Sequence, residues 1–281
     1  MNFDYSPEHR PIQPWIAASE RPAPEPGAQR GALHYREFAP PPGLEGIVFA
    51  VWTLAGDGGA DDCLRYHVVP DACSDFVFDR QAGEGFVFGT VAEARTVEMS
   101  GRVSLVGVRL QPHLLPAYTG ISTSGFRDVE PSFHDASLGV MNDVFASRAG
   151  DEDAGFGPRE AASLAEAVSR QLCTERVNIR AQWLTAALLA GGGSVDRAVH
   201  STGLSARQLQ RIAQQELGLT PKRLGRILRL QQTLPKVLDG VDSLAHIAGD
   251  QGYVDQAHMT REFSTLTGYT PGFWRSRRMS D

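Results

Sequence analysis

Three cysteines in 281 residues are too few and too scattered to organise this chain. Cys63, Cys73 and Cys173 are odd in number and widely spaced, which fits neither a disulfide framework nor the paired spacing of a zinc site. No apolar run approaches the roughly 20 residues that cross a bilayer, so no membrane partner is expected. The amino terminus, MNFDYSPEHRPIQPW, has acids and prolines where a secretory signal has a basic start and an apolar core. A cytoplasmic protein is expected. The chain also lacks a G-x-S-x-G elbow and a G-x-x-x-x-G-K-[ST] phosphate loop. His67 and His113 stand alone, whereas a metal-binding barrel needs several ligands at close spacing. Neither a metal nor a cofactor is expected.

What is present is a chain long enough for two domains, with an ordinary apolar share of 42% and charged share of 21%. Its charge is unevenly divided. Residues 1–177 hold 14 Lys and Arg against 25 Asp and Glu, net −11; residues 178–281 hold 13 against 8, net +5. An acidic module joined to one suited to phosphate is the reading this suggests; a merely solvated imbalance is the alternative.

Residues 1–30 are Pro-rich, lack an apolar period, and read as extended or loosely ordered. Between 31 and 145, GIVFAVWTLAG, LRYHVV, SDFVFDR, GFVFGT, RTVEMSG and RVSLVGVRL are Val-, Phe- and Thr-rich words cut by Gly, Pro and Asp. They predict strands of a β-barrel or sandwich. Residues 146–177 read as a linker, AGDEDAGFG, and a connecting helix with Pro158 in its first turn. From 178 to the end the pattern is all-α, giving an α+β two-domain chain.

The helical part repeats itself. GLSARQLQRIAQQELGLTP and GYVDQAHMTREFSTLTGYTP lie fifty residues apart and share glycines, a terminal Thr-Pro and an arginine. In the first copy, Ser194 starts a short helix that Gly203 ends. Ser205 then caps a second helix, with Gln208 completing a capping box. Leu209, Ile212, Ala213 and Leu217 share one face of that helix; Arg207, Gln210, Arg211 and Gln214 share another. The second copy has Ser243, Gly252 and the cap Asp255, with Met259, Phe263 and Leu266 inward, and Arg261 matching Arg211. This is helix-turn-helix spacing, in which a short helix braces and a capped second helix presents its outer face. One polar face alone is as easily a solvated surface. The four outer positions of the first copy carry no acid, which suits a phosphate-lined groove.

On these words, together with RILRLQQTL and LAHIAGDQGYVDQAHMTREFSTLTGYTPGFWR, residues 178–281 resemble the DNA-binding domain of the AraC/XylS family of transcription regulators. The resemblance implies two helix-turn-helix units joined by a linker helix, about 221–238, laying two recognition helices into successive major grooves of double-stranded promoter DNA. It implies base contacts at Arg207, Gln210 and Arg211, and at Gln256, Thr260 and Arg261. Arginine can pair with guanine O6 and N7, glutamine with adenine, and Ala257 can rest on a thymine methyl. Ser205, Lys222, Arg226, Ser243, His258 and Arg275 are the candidates for phosphate contacts, although His258 would serve equally as an internal hydrogen-bonding group. Arg229 is expected to tie the linker helix to a carboxylate or a helix end. Pro235 sits inside the linker helix and is expected to kink or end it.

Residues 31–140 resemble, through HVVPDACSDFVF and LVGVRLQP, the β-rich amino-terminal module of a subgroup of these regulators. That implies a small-molecule effector, self-association as a homodimer, or both, with RNA polymerase as partner if the protein activates. The expected pocket draws on Trp52, Tyr66, Phe76, Phe78, Phe86, Phe88 and Arg109, against the alternative that these aromatics are plain core. Arg109 is expected to pair with an acid inside the fold rather than grip an anion. The rival class is a DNA-targeted modifying or thiol-based repair enzyme with a catalytic amino-terminal domain. Cys73 is a poor nucleophile for it, because Asp71 and Asp75 raise a thiol pKa.

Overall fold

The computed structural model describes residues 33–59, 63–126, 139–148 and 156–278. The Pro-rich segment and most of the acidic linker lie outside the described residues. Strands come first: β1 (Leu33–Phe38), β2 (Val48–Gly56), β3 (Cys63–Val68), β4 (Ser74–Asp79), β5 (Glu84–Phe88), β6 (Arg95–Ser100) and β7 (Val103–Leu110). Each of the six Val-, Phe- and Thr-rich words forms one of β2–β7. LHYREF adds β1, an edge strand too polar to stand out in the sequence.

All pairings are antiparallel and make two sheets, one ordered β1-β2-β7-β4-β5 and one of β3 with β6 alone. Side chains alternate across the larger sheet. Val51, Phe76, Phe78, Val87, Val106, Val108 and Leu110 face outward into an apolar core with α1 (Leu115–Thr119), α2 (Gly139–Ala146) and α3 (Pro158–Ser169). The other face turns Trp52, Leu54, Asp75, Val77, Phe88 and Arg109 toward the β3–β6 pair, leaving a cavity between the sheets. Gly107 is opposite Trp52 in the register, and a Cβ there would stand 2.1 Å from the indole ring. Only glycine lets that ring lie flat on the strand.

Seven helices follow: α4 (Ile179–Ala190), α5 (Val195–Thr202), α6 (Ala206–Leu217), α7 (Pro221–Asp239), α8 (Leu244–Asp250), α9 (Gln256–Thr267) and α10 (Pro271–Arg278). The predicted caps are in place. Ser194, Ser205, Ser243 and Asp255 accept from the backbone N–H three residues on, and Ser205 with Gln208 closes a capping box. Gly203, Gly218 and Gly268 end their helices in the left-handed conformation. Pro235 does not end the linker helix, which continues to Asp239. The proline falls near its end, where buried Leu234 and Val237 hold the last turn against the core in place of the lost hydrogen bond.

The helical core extends into the strands. Val69 and Ala72, from the β3–β4 connection, are fully buried in the same cluster as Leu209, Leu217, Leu224, Leu230, Phe263 and Trp274. Ala72 takes a positive φ of 66°, unusual for a residue with a Cβ. Its flank is fixed by Asp71 Oδ1, which accepts from the Cys73 N–H at 2.9 Å.

Candidate DNA interface and effector cavity

The outer face of α6 is where its amphipathic period predicts. Arg207 and Arg211 are exposed and Gln210 is half-buried, opposite the buried Leu209, Ile212, Ala213 and Leu217. On α9, Gln256, Ala257 and Arg261 are exposed and Thr260 is half-buried, opposite Met259, Phe263 and Leu266. The side chains of Arg207, Arg211 and Arg261 make no hydrogen bond or ion pair to any described residue. Three guanidinium groups thus stand on two matched helix faces with their donors directed to solvent. The acid of α9, Glu262, turns the other way. Its Oε1 accepts from Arg226 Nε at 2.6 Å, and its Oε2 lies 3.9 Å from Arg229 Nη1.

The candidates for phosphate contacts divide. Lys222 is exposed beside the start of α7. Ser205 and Ser243 hold the first turns of α6 and α8. Arg226 is bound to Glu262, and Arg275 donates to the carbonyls of Asp242 at 2.7 Å and Val237 at 3.4 Å, at the end of α7. His258 is half-buried: its Nδ1 accepts from the Val254 N–H at 3.2 Å and its ring meets Tyr253 edge-on at 5.7 Å. Arg229 ties α7 both to a helix end, through Gly252 O at 3.3 Å, and to Glu262, with its guanidinium over the Tyr253 ring. Burial pushes the Tyr253 hydroxyl up to about 12, so it stays protonated against Thr233 Oγ1 at 3.2 Å.

The cavity holds about 110 Å³ of free space. Its walls are Tyr35, Trp52, Leu54, Tyr66, Phe88 and Val97, among other apolar side chains. Tyr35 lies 6.0 Å from both Trp52 and Tyr66, stacked on the latter. Phe76 and Phe78, expected here, are instead on the opposite face of β4, packed on Tyr118 and Phe145. Phe86 is on the inner face opposite Val77 but outside the cavity lining. The strand period gave the pairs their common side; which side faced the cavity depended on where the helices packed.

One end of the cavity is charged. Arg109, 4% exposed, lies beside Asp75 in the register, and its Nε is 3.1 Å from Asp71 and 3.4 Å from Asp75. Its Nη1 donates to Glu37 Oε2 at 3.4 Å. Arg109 therefore pairs with acids inside the fold, as its sequence position suggests. Trp52 Nε1 donates to Asp75 Oδ1 at 2.6 Å. Burial raises the Asp75 pKa and Asp71 adds to the rise, with Arg109 and the indole opposing it. The Cys73 thiol, 2% exposed, is held well above the usual thiol range by burial and then by Asp71. It has neither the access nor the thiolate character of a nucleophile. Sequence reasoning missed Tyr35, Glu37, Asp71 and Asp75 as parts of this end; only the strand register brings them together. Among the described residues no group of three or more His, Cys, Asp or Glu is arranged to hold a metal ion, and no helix is long and apolar enough to cross a membrane.

Two family models match the chain: a helix-turn-helix domain over residues 198–277 and a domain of unknown function (DUF6597) over residues 36–131. No curated protein matches it in sequence. Among solved structures, a probable AraC family transcriptional regulator from Rhodopseudomonas palustris CGA009 is 19% identical, covering 36% of this chain and 98% of that one, with a TM-score of 0.32. ToxT from Vibrio cholerae covers 88% of this chain and 98% of its own at 6% identity, with a TM-score of 0.41. ToxT bound to (E)-4-(8-methylnaphthalen-1-yl)but-3-enoic acid covers 89% of this chain and 98% of its own at 7% identity, with a TM-score of 0.43. The helix-turn-helix match falls on the two capped units that share one linker helix, so the carboxy-terminal part of the chain is a helix-turn-helix domain.

Proposed function

We propose that the protein reads a bipartite promoter site with α6 and α9 and is controlled by a small molecule held between its two sheets. The matched outer faces of these helices carry the reading: Arg207, Arg211 and Arg261 are exposed and uncommitted on each side of one linker helix. Arg207, Gln210 and Arg211 address bases in one major groove; Gln256, Ala257, Thr260 and Arg261 address the next. Lys222 faces phosphate, and Ser205 and Ser243, as caps, set the first turns of α6 and α8 beside it. Arg226, His258 and Arg275 act from behind, holding α7 and α9 in place, because their polar atoms are already engaged.

The division of labour follows the chain: residues 31–145 as effector and dimerisation module, 146–177 as connection, 178–281 as DNA-binding domain. The effector is a compact, mainly apolar molecule whose polar group meets the acceptor-rich end at Asp71 and Asp75. Self-association through the β-module, and contact with RNA polymerase where the protein activates, belong to the same reading. The protein works in the cytoplasm, where its DNA lies, and performs no catalysis of its own. A buried thiol of raised pKa argues against the repair-enzyme rival.

Footprinting tests the reading directly. The full chain should protect two half-sites about one helical turn apart, and Arg211→Ala should lose contacts in one of them alone. Unchanged protection in both would sink the assignment of α6. For the cavity, quenching of tryptophan fluorescence by candidate metabolites should be abolished by Val97→Trp, which fills the space. Cys73→Ser should leave the transcriptional response intact.

A further inference from the structure

The last carbonyls of a helix have no intrahelical donor and must find one elsewhere. In both recognition helices that donor comes from the β-rich half of the chain. At the end of α6, Ser122 Oγ donates to Gln215 O at 2.8 Å, and Thr123 Oγ1 to Glu216 O at 2.6 Å. At the end of α9, His67 Nε2 donates to Thr267 O at 2.7 Å, and the Ala94 N–H to Leu266 O at 3.1 Å. Glu216 and Leu266 are equivalent under the fifty-residue shift. Both readers are thus held at the same place, by their carboxy-terminal ends, while their amino-terminal turns and outer faces stay open.

The grip extends to the spacer between them. Arg223, in the first turn of α7, donates to Ala92 O at 2.9 Å and Glu93 Oε1 at 2.6 Å; Gln231 donates to Pro70 O at 2.7 Å. His67 is buried, with Tyr269 and Trp274 against its ring. Thr123 is fully buried. His67, Thr123 and Gln231, all buried, make the stiff part of this joint; the Arg223–Glu93 pair is more exposed.

These donors lie next to residues that line the cavity, without lining it themselves. His67 lies between Tyr66 and Val68 on β3, and Ala94 precedes Arg95 at the head of β6; Tyr66, Val68 and Arg95 line the cavity. On the other side, Phe126 backs so closely on Gly89, also a lining residue, that a Cβ there would meet the Phe126 carbonyl at 2.6 Å. Phe126 ends the short 3-10 turn that begins at Thr123. Among the described residues the β3–β6 pair has no hydrogen-bonded strand partner in the larger sheet.

We propose that the β-module is a caliper: His67 and Thr123 are positioning residues that fix the angle and separation of α6 and α9, and so decide which half-site spacing the protein accepts. The inference rests on the DNA-reading assignment above, and the test separates the two.

The probes are duplexes carrying the half-sites that the full chain selects from a random pool, with base pairs added or removed between them, and a duplex carrying one half-site. Wild-type affinity should fall at least about tenfold for one base pair of altered spacing. In His67→Phe and in Thr123→Val, which remove the donors but keep similar volume, that fall should shrink to about threefold or less. Single half-site affinity should stay within about twofold of wild type. Thr123→Ser keeps the donor and should restore the strict profile; it also guards against a folding defect in the valine variant. Two folded variants with the wild-type spacing profile would overturn the caliper while leaving DNA reading intact, as would equal losses on single half-sites, the mark of a merely structural role. A full chain that selects no duplex would overturn both.

Discussion

Arg211 and Arg261 are the side chains on which sequence reading should depend most. Each can make two parallel hydrogen bonds to a guanine, and neither has a side-chain partner among the described residues to give up. Replacing either with alanine should cost about 1–3 kcal/mol on the selected site and relax selectivity at one base pair, measured by fluorescence anisotropy on singly substituted duplexes. Lys222→Ala should instead weaken all sequences alike and reduce the salt slope by about 1, because a phosphate contact carries register but no base information. A different residue sets acid sensitivity. His113 is 2% exposed, its Nδ1 has no hydrogen-bond partner among the described residues, and burial drives its pKa down to about 4. As pH falls from about 6.5 towards 4, the unfolded chain takes up a proton that the folded chain refuses, so stability drops by up to roughly 3 kcal/mol. Asp75, raised by burial, pulls the other way. In His113→Gln the histidine share of the acid loss should vanish from urea titrations between pH 6.5 and 4; an unchanged pH profile would count against it.

At the scale of elements, caps and close approaches matter more than propensity. Ser205 satisfies the first turn of α6 in a reciprocal box with Gln208. Ser205→Ala should cost about 1 kcal/mol of stability in urea titrations. A second device is the crossing of α7 against the α4–α5 turn, where two glycines meet backbone to backbone. A Cβ on Gly225 would stand 2.2 Å from the Gly193 carbonyl oxygen, and one on Gly193, at φ 79°, would stand 2.3 Å from the Gly225 carbonyl oxygen. Gly225→Ala raises helix propensity yet should lower the melting temperature, because neither backbone can retreat without moving a packed helix. A rise in Tm would show that the crossing is softer than its geometry implies.

Across the whole molecule, the strands pack two apolar clusters of their own, and the β3–β4 connection adds Val69 and Ala72 to the cluster of the helical units. Val69 and Ala72 are as deeply buried among the reader helices as the residues of those helices. Calorimetry of the full chain should therefore give a single cooperative transition, whereas two loosely joined bodies would give two. Val69→Ala should lower that one transition rather than split it, by an amount matching a loss of about 1–3 kcal/mol. A separate early transition from the β-rich part would contradict the shared core and weaken any route from cavity to DNA.

How much of this was legible beforehand follows from the range of each interaction. The helical repeat was plain, since caps, glycines and apolar period act within a few residues, and Ser205, Asp255 and Gly218 do locally what their types suggest. Six strands were visible by the same logic. The polar edge strand β1 was not, because only pairing with β2 makes it a strand. Nor could a period-two pattern say which face of β4 turned to the cavity: Phe76 and Phe78 went to the helices, and Asp75 to Arg109, by register across strands far apart in sequence. The sequence by itself determined two capped helix-turn-helix units and a β-rich partner. The tertiary structure alone decided that the ends of α6 and α9 are held by Thr123 and His67, since those hydrogen bonds join residues 93 and 200 positions apart and exist only once both halves have folded together.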